Sequence, residues 1–356
     1  MAVPVPARLD EITSRWLEQA LAEGGLAGVD LDGLDVTPMG DGVGFLGDLA
    51  RLRPRYLRPH PDAPASLVAK LPTADAGGRT VGSMLDVWAR EARFYRELAT
   101  EVPVPVPRCF YNGADPTRRA WCLLLADLGP DAADQARGAT VAQAAAAVDA
   151  VARLHARWWD DGGLADLAWL PGLDGPAASM LGPVVEAALP AFRASYAHLV
   201  DPTAIGWLEQ LAAGFGDWLG RRSTRAMTLV HADYRLDNLL YDGDRLTGVV
   251  DWQTALRGPG TLDVASLLCT SLTLEDRRRH EDELLDRYVG ALDALGVHLD
   301  VDLGRAYREG MLWWMALYAN NLSTIAPEGR GRVMFDRSIE RLFGAAVDHD
   351  AGRELD

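Results

Sequence analysis

Apolar residues recur at helical spacing over 10–27, where Ile12, Trp16, Leu17 and Leu21 share one face. Asp10 stands where a cap would start this predicted helix and Gly24-Gly25 where it would end. The period then changes. Segments 48–53 and 66–71 read as extended, and the prolines between them (Pro54, Pro59, Pro61, Pro64) predict a strand, a loop and a second strand. A helix is expected over about 82–99. VPVPVPRC at 102–109 forbids one, and 109–112 and 120–126 read as strands. LADLGPD breaks the pattern near 127–130, and beyond it the chain turns helical: an Ala-rich helix over 140–159, further helices within 176–221, and helical periodicity from Leu262 to about 347. A β-rich island at 227–252 interrupts them. Within it Asp242-Gly243-Asp244 separates the apolar runs Leu239–Tyr241 and Leu246–Val250, which predicts a hairpin. Strands with one helix, followed by helices around one hairpin, predict an α+β chain in two parts.

Composition narrows what such a chain can do. With 356 residues, 49% of them hydrophobic, it can bury a sizeable core. Thirty-five Lys+Arg against 51 Asp+Glu leave a net charge of −16, a poor balance for gripping a phosphate backbone, so a nucleic-acid partner is not expected. Cys109, Cys122 and Cys269 are odd in number and far apart, which indicates neither a disulfide framework nor a zinc site and suits a reducing compartment. The first 21 residues lack a basic stretch followed by an apolar one, and apolar runs such as Met311–Ala319 are about half a membrane span. A cytoplasmic protein without a membrane partner is expected.

One basic residue stands apart: 34 of the 35 are Arg and one is Lys70. Arg is a planar fork and Lys a compact charge on a flexible stem, so a narrow phosphate site accepts one and refuses the other. Two readings stand for Lys70: a position whose chemistry needs an ammonium, or the last lysine of an Arg-biased chain. It ends the apolar strand SLVAK, where a charge needs a partner. The helix that follows carries Glu91 on one stripe with Met84, Trp88, Tyr95 and Leu98. An acid in an apolar stripe is costly unless paired, so Glu91 either meets Lys70 or sits half-exposed at the helix edge. Upstream, Gly42-Val43-Gly44-Phe45-Leu46-Gly47 matches G-x-G-x-x-G, a loop whose N–H groups can approach phosphate oxygens. A dinucleotide fold needs a helix directly after such a loop. Here a strand-like stretch and Pro54 follow, and G-x-x-x-x-G-K-[ST] is missing too. A hairpin lid over phosphates or a plain flexible turn remains.

The most specific signal is His231-Ala232-Asp233-Tyr234-Arg235-Leu236-Asp237-Asn238. With 7 His, 36 Asp and 4 Asn in the chain, H-x-D-x-x-x-x-N is expected far less than once by chance. It follows the apolar MTLV and precedes the predicted hairpin, whose second strand delivers Asp251 in VVDW. In phosphoryl transfer one carboxylate orients or deprotonates the attacking hydroxyl, while an Asn and a second Asp hold Mg²⁺ on the nucleotide. Asp233, Asn238 and Asp251 are the groups this chemistry needs. A Ser-His-Asp hydrolase would need G-x-S-x-G, and a metal hydrolase more clustered His than the 7 scattered here.

The Gly loop, the lone strand Lys, the helix Glu, HADYRLDN and VVDWQ run in the order of the protein-kinase-like phosphotransferases. The wording of the last two resembles the aminoglycoside phosphotransferase and choline-kinase-like family of small-molecule kinases, over about residues 36–275. The resemblance implies an α+β, two-lobed protein-kinase-like fold. Residues 1–126 would form a β-rich nucleotide-binding N-lobe with one main helix, 127–130 a hinge, and 131–356 a mainly helical C-lobe with the catalytic loop and acceptor-binding helices. It implies transfer of the ATP γ-phosphoryl group to a hydroxyl of a small-molecule acceptor, with ATP and Mg²⁺ as cofactors. By position Asp233 resembles the catalytic base, Asn238 and Asp251 the magnesium ligands, Lys70 the binder of the α/β-phosphates and Glu91 its partner. Gly42, Gly44, Gly47 and the hinge residue Asp127 would line the nucleotide. Arg235 stands where a cation either stabilises charge on the transferring phosphate or makes a plain ion pair. His231 would support the loop, and Asp263 in GPGTLDVASLL resembles an aspartate that braces it. Two positions depart from the family pattern: Ala232 stands where glycine is common and Ala126 where an acid is frequent. Neither touches the phosphate chemistry.

The acceptor is less legible. Regions 155–225 and 272–325 would build its pocket, with Trp158-Trp159, Trp169, Trp313-Trp314, Tyr318 and Asn320-Asn321, although aromatic residues at helical spacing more often form core. Asp160-Asp161 suits a cationic acceptor such as an aminoglycoside; Trp-rich walls equally suit an apolar alcohol, a macrolide or an acyl thioester. Two other classes stand beside the kinase reading. A nucleotide-binding pseudokinase acting as a binding module has less need of all of Lys70, Glu91, Asp233, Asn238 and Asp251. A dinucleotide oxidoreductase lacks the helix after its Gly loop. The sequence leaves the oligomeric state open.

Overall fold

Residues 47–56 turn Ala50, Leu52 and Pro54 inward and Arg51, Arg53 and Arg55 outward, the period of a half-buried strand. In the computed structural model, which describes residues 3–40, 46–129, 133–173, 181–221, 226–324 and 329–356, this segment belongs to a five-stranded antiparallel sheet. Its strands are β1 (Leu31–Met39), β2 (Gly47–Tyr56), β3 (Leu67–Pro72), β4 (Cys109–Asp115) and β5 (Ala120–Ala126), in the order β1-β2-β3-β5-β4. Helix α1 (Ser14–Glu23) packs Trp16, Leu17 and Leu21 into the core with Leu52, Leu67, Ala69 and Leu124. This first compact unit comprises Met1–Glu101 and Val106–Gly129.

Three expectations need correction here. Strand β1 was not foreseen, because Gly33 and Pro38 obscure its alternation; it lies at the sheet edge and pairs only with β2, where the missing N–H of Pro38 is tolerated. The first helix begins at Ser14, capped by Thr13 accepting the Trp16 N–H at 3.2 Å, while Asp10 pairs with Arg8. The helix expected over 82–99 is two, α2 (Ala76–Met84) and α3 (Val87–Glu97), joined through Asp86 in left-handed backbone with φ 52°. Met84 therefore leaves the stripe and is 80% exposed, while Trp88, Glu91, Tyr95 and Leu98 stay buried.

The second unit comprises Val102–Pro105 and Pro130–Asp356, so 102–105 sits with it rather than with the first lobe; the Pro105 carbonyl accepts the Val249 N–H at 2.8 Å. Its elements are α4 (Val141–Arg157), α5 (Gly162–Ala165), α6 (Leu181–Tyr196), α7 (Pro202–Gly220), β6 (Thr228–Val230), β7 (Leu239–Asp242), β8 (Arg245–Val249), β9 (Leu256–Gly258), α8 (Thr261–Ser271), α9 (Leu274–Ala294), α10 (Leu303–Thr324) and α11 (Gly329–Asp348). Strands β7 and β8 form the expected hairpin, with Gly243 taking the positive φ of its turn, and β6 pairs antiparallel with β9. Every residue of α8 is buried, and α4, α10 and α11 pack around it. The observed class is the α+β class read from the order of elements. Among the described residues no helix is long and apolar enough to cross a membrane.

Candidate functional site

The chain leaves β6 at Val230 and enters His231-Ala232-Asp233. The N–H groups of His231 and Ala232 donate to the two oxygens of the Asp263 carboxylate at 2.8 and 2.9 Å. Asp263 lies in the first turn of α8 and is fully buried, a placement that demands such partners. The clamp accounts for the alanine at 232. Its φ is 59°, a left-handed conformation that costs a residue with a β-carbon roughly 1–2 kcal/mol, and the two charge-assisted bonds offset that strain. His155 of α4 reaches the same carboxylate, its Nε2 3.3 Å from Asp263 Oδ2 and its Nδ1 2.9 Å from the Tyr288 hydroxyl of α9. Nε2–H aimed at Asp263 and the Tyr288 O–H at Nδ1 satisfy both ring nitrogens. The far end of the loop hangs from α8 too, the Leu236 N–H donating to Ser271 Oγ at 3.1 Å.

Asp233 is held on both oxygens. Arg235 Nε donates to Oδ1 at 2.8 Å, and Asn238 Nδ2 donates to Oδ2 at 2.7 Å and to the Asp233 carbonyl at 2.8 Å. Burial pushes the Asp233 carboxyl up from its ordinary value, with Arg235 opposing the rise and Asp251 adding to it. Arg235 also donates to Asp237 Oδ2 at 2.9 Å. Burial works against its charge, yet Asp233 and Asp237 hold the guanidinium well above its usual range. The contacts of Arg235 are thus those of an ion pair bridging two carboxylates. His231 accepts the Asp233 N–H on Nδ1 at 3.2 Å and turns Nε2 to the Val250 carbonyl at 2.9 Å, so the ring proton belongs on Nε2. With its ring 4.7 Å from that of Trp252, it ties the loop to the strand end that carries Asp251 and keeps no nitrogen for chemistry.

Two oxygen donors are set beside this carboxylate. Asn238 gives its amide nitrogen to Asp233, which leaves the amide oxygen for a cation. Asp251 follows Val250, whose N–H donates to the Asn238 carbonyl at 3.0 Å. One carboxylate and one amide oxygen on adjoining backbone fit Mg²⁺, which takes few protein ligands and fills its octahedron with phosphate and water oxygens.

In the first unit Lys70 of β3 and Glu91 of α3 form a buried ion pair, Nζ to Oε2 2.7 Å, with side chains 10% and 2% exposed. That settles the alternative of a half-exposed Glu91. Gly47 lies against the pair: a β-carbon there would stand 3.4 Å from Lys70 Cε and 3.3 Å from the Leu71 carbonyl oxygen. Gly42 and Gly44 lie outside the described residues. Asp127, expected to line the nucleotide, has a carboxylate that accepts from Ser66 Oγ at 2.6 Å, Arg51 Nε at 2.7 Å and the Gly129 N–H at 3.2 Å.

Burial raises the proton affinity of Asp127, but the bonds from Ser66 and Arg51 outweigh it and hold the carboxyl below its ordinary value of 3.8. A depressed carboxyl stabilises the fold above its unfolded value and loses that contribution as pH falls through the folded one. Asp127→Asn should therefore lower the unfolding free energy by about 1 kcal/mol at pH 7, after discount for partial exposure, with the difference closing in acid. Paired urea titrations at neutral and acid pH measure this, and a pH-independent difference would assign the residue to packing.

Asp160 accepts the Met227 N–H at 3.0 Å and Asp161 caps α5 through the Gly163 N–H at 2.7 Å, so one oxygen of each carboxylate bonds backbone. Trp158, Trp313, Trp314 and Tyr318 are buried, whereas Trp159 and Trp169 are partly exposed. The side chain of Asn321 lies outside the described residues. The sequence reading missed His155 and Tyr288. One signal was available: His155 shares the apolar stripe of α4 with Val148, Val151 and Ala152, the kind of misplaced polar residue that singled out Glu91.

A family model described as "Phosphotransferase enzyme family" matches residues 51–307. No curated protein matches the chain. Among solved structures the chain is similar to the macrolide 2′-phosphotransferase MphH of Brachybacterium faecium, with 20% identity, 89% of this chain and 92% of that one covered, and a TM-score of 0.51. It is similar to a type I macrolide 2′-phosphotransferase at 16% identity, covering 95% and 99%, with a TM-score of 0.54. A ternary complex of streptomycin, ATP and APH(2″)-IIa matches at 15% identity, covering 91% and 96%, with a TM-score of 0.50. At such identities the likeness speaks for the fold, which is that of kinase-like phosphotransferases.

Proposed function

This chain belongs to the phosphotransferase enzyme family, and we propose that within it the protein is a cytoplasmic kinase that transfers the γ-phosphoryl group of ATP to a hydroxyl of a small molecule, of aminoglycoside type or another hydroxylated metabolite or antibiotic. The observation that carries this reading is the carboxylate of Asp233, fixed by Arg235 and Asn238 on a loop hung from buried Asp263. An acceptor hydroxyl donates to Asp233. As its oxygen attacks the γ-phosphorus, the bond from that phosphorus to the β–γ bridging oxygen breaks, ADP departs and the proton passes to the Asp233 carboxylate. Arg235, anchored on Asp237, keeps the carboxylate aimed. Asp251 and the Asn238 amide oxygen would hold Mg²⁺, which when bound neutralises charge on the phosphates. Lys70, held by Glu91, is the ammonium for the α/β-phosphates. The complex of APH(2″)-IIa with streptomycin and ATP supports ATP as the donor.

The test is ADP release with MgATP across a panel of hydroxylated compounds, alongside melting temperatures with MgATP and with NAD. Stabilisation of several degrees by saturating MgATP is expected, with ADP release on at least one compound. Stabilisation by NAD alone would overturn the reading, and MgATP binding without turnover on any acceptor would leave a binding module.

A further inference from the structure

Helix α3 is fastened to the first-unit sheet by polar bonds as well as by packing. Near its start the Trp88 indole N–H donates to the Leu46 carbonyl at 2.8 Å, and the ring lies 5.7 Å from that of Trp121. In its middle Glu91 meets Lys70. One residue on, the Ala92 carbonyl accepts from Asn112 Nδ2 at 2.7 Å. The sheet register aligns these holds. Lys70 of β3 and Asn112 of β4 are both partners of Leu123 in β5, one from each side, so their side chains leave the same face of the sheet about 9–10 Å apart. They grip consecutive residues of the helix, one by its side chain and the next by its main chain. An ion pair alone sets a distance; a second attachment two strands away also sets the rotation and slide of the helix.

We propose that Asn112 is a positioning residue: it pins α3 at Ala92 so that Glu91 stays in register with Lys70. The proposal rests on the reading of Lys70 as the phosphate-binding ammonium. Folding alone gives little reason for an amide here. Asn112 Oδ1 is buried with no hydrogen-bond partner among the described residues, a cost to stability that leucine of similar size would avoid. The donor on the other branch is what the position uses.

The test compares wild type, Asn112→Leu and Asn112→Asp by hydrogen exchange, by calorimetric titration with MgATP and a non-hydrolysable analogue, and by steady-state kinetics. Asn112→Leu should melt at or above the wild-type temperature, while exchange over 87–97 without nucleotide speeds up about 5-fold. Analogue affinity should fall about 5- to 10-fold and KM for MgATP rise in step, with acceptor KM unchanged. In a Glu91→Gln background the same substitution should change affinity less than about 2-fold, because its effect runs through Glu91. Asn112→Asp, which keeps the shape and removes the donor, should match the loss and stands in should the leucine variant not fold. Unchanged affinity in a folded variant overturns the proposal, as does an equal loss in both backgrounds. A wild-type protein that binds no MgATP overturns the phosphotransfer reading and the link to Lys70 with it; exchange then decides the anchoring by itself, and unchanged rates over 87–97 refute that too.

Discussion

Asp233→Asn is expected to lower turnover by roughly 10² to 10⁴ fold, the range for a positioned general base, while leaving MgATP affinity nearly unchanged. The substitution conserves volume but not bonding. Arg235 Nε and Asn238 Nδ2 both donate to the native carboxylate, so an amide at 233 turns its own donor toward one of them. Arg235 keeps Asp237, and the loop keeps Asp263, so the scaffold survives the loss. Asp251→Asn should behave differently, weakening Mg²⁺-dependent nucleotide binding as well as turnover, because its carboxylate is the proposed holder of Mg²⁺ on the nucleotide. Calorimetry with a non-hydrolysable analogue separates the two variants without knowledge of the acceptor. Loss of binding in Asp233→Asn with retention in Asp251→Asn would reverse the assigned roles.

The second large effect is a divorce of stability from activity at Lys70 and Glu91. Removing one partner strands the other in the core, which costs about 3–5 kcal/mol; replacing both by apolar residues of similar size is often neutral or stabilising. Lys70→Met combined with Glu91→Leu is therefore expected to unfold at the same urea concentration as wild type or higher. It should nevertheless lose roughly 10²-fold or more in kcat/KM for MgATP, because it lacks the cation proposed for the phosphates. Either single alanine variant should lose about as much activity as the double, since the two side chains act as a unit. A double replacement that stays active would show that the pair serves the fold alone, and additive single losses would show that the residues work apart.

What could be read from the sequence followed the range over which each feature is determined. Asp233, Arg235 and Asn238 bond one another within six residues, so the chemistry of the loop is written in one short string. Glu91 was legible for another reason: a carboxylate in an apolar stripe demands a cation, and the chain offers one lysine. Asp242-Gly243-Asp244 fixes its hairpin by turn chemistry alone. Elsewhere the deciding contact is distant or the local pattern misleads. The break between α2 and α3 falls in an unbroken apolar rhythm and depends on the left-handed backbone of Asp86. His155 meets Asp263 across 108 residues of chain and Tyr288 across 133, and no spacing rule connects them. Nothing local announces Arg51, 76 positions away, as the partner of Asp127.

The solitary lysine gives the protein an unusual standing toward covalent labelling. Reagents that acylate ε-amines have one target among its side chains, Lys70. That target is sheltered: its nitrogen lies 2.7 Å from the Glu91 carboxylate. Acylation requires the amine to leave Glu91 and lose its proton, so the rate at which the intact mass gains a single ε-acyl group counts openings of the ion pair. Bound nucleotide phosphates should slow the count. Chemistry that decorates an ordinary enzyme at many harmless lysines would here leave 34 arginines untouched and strike the one position proposed to hold the nucleotide phosphates.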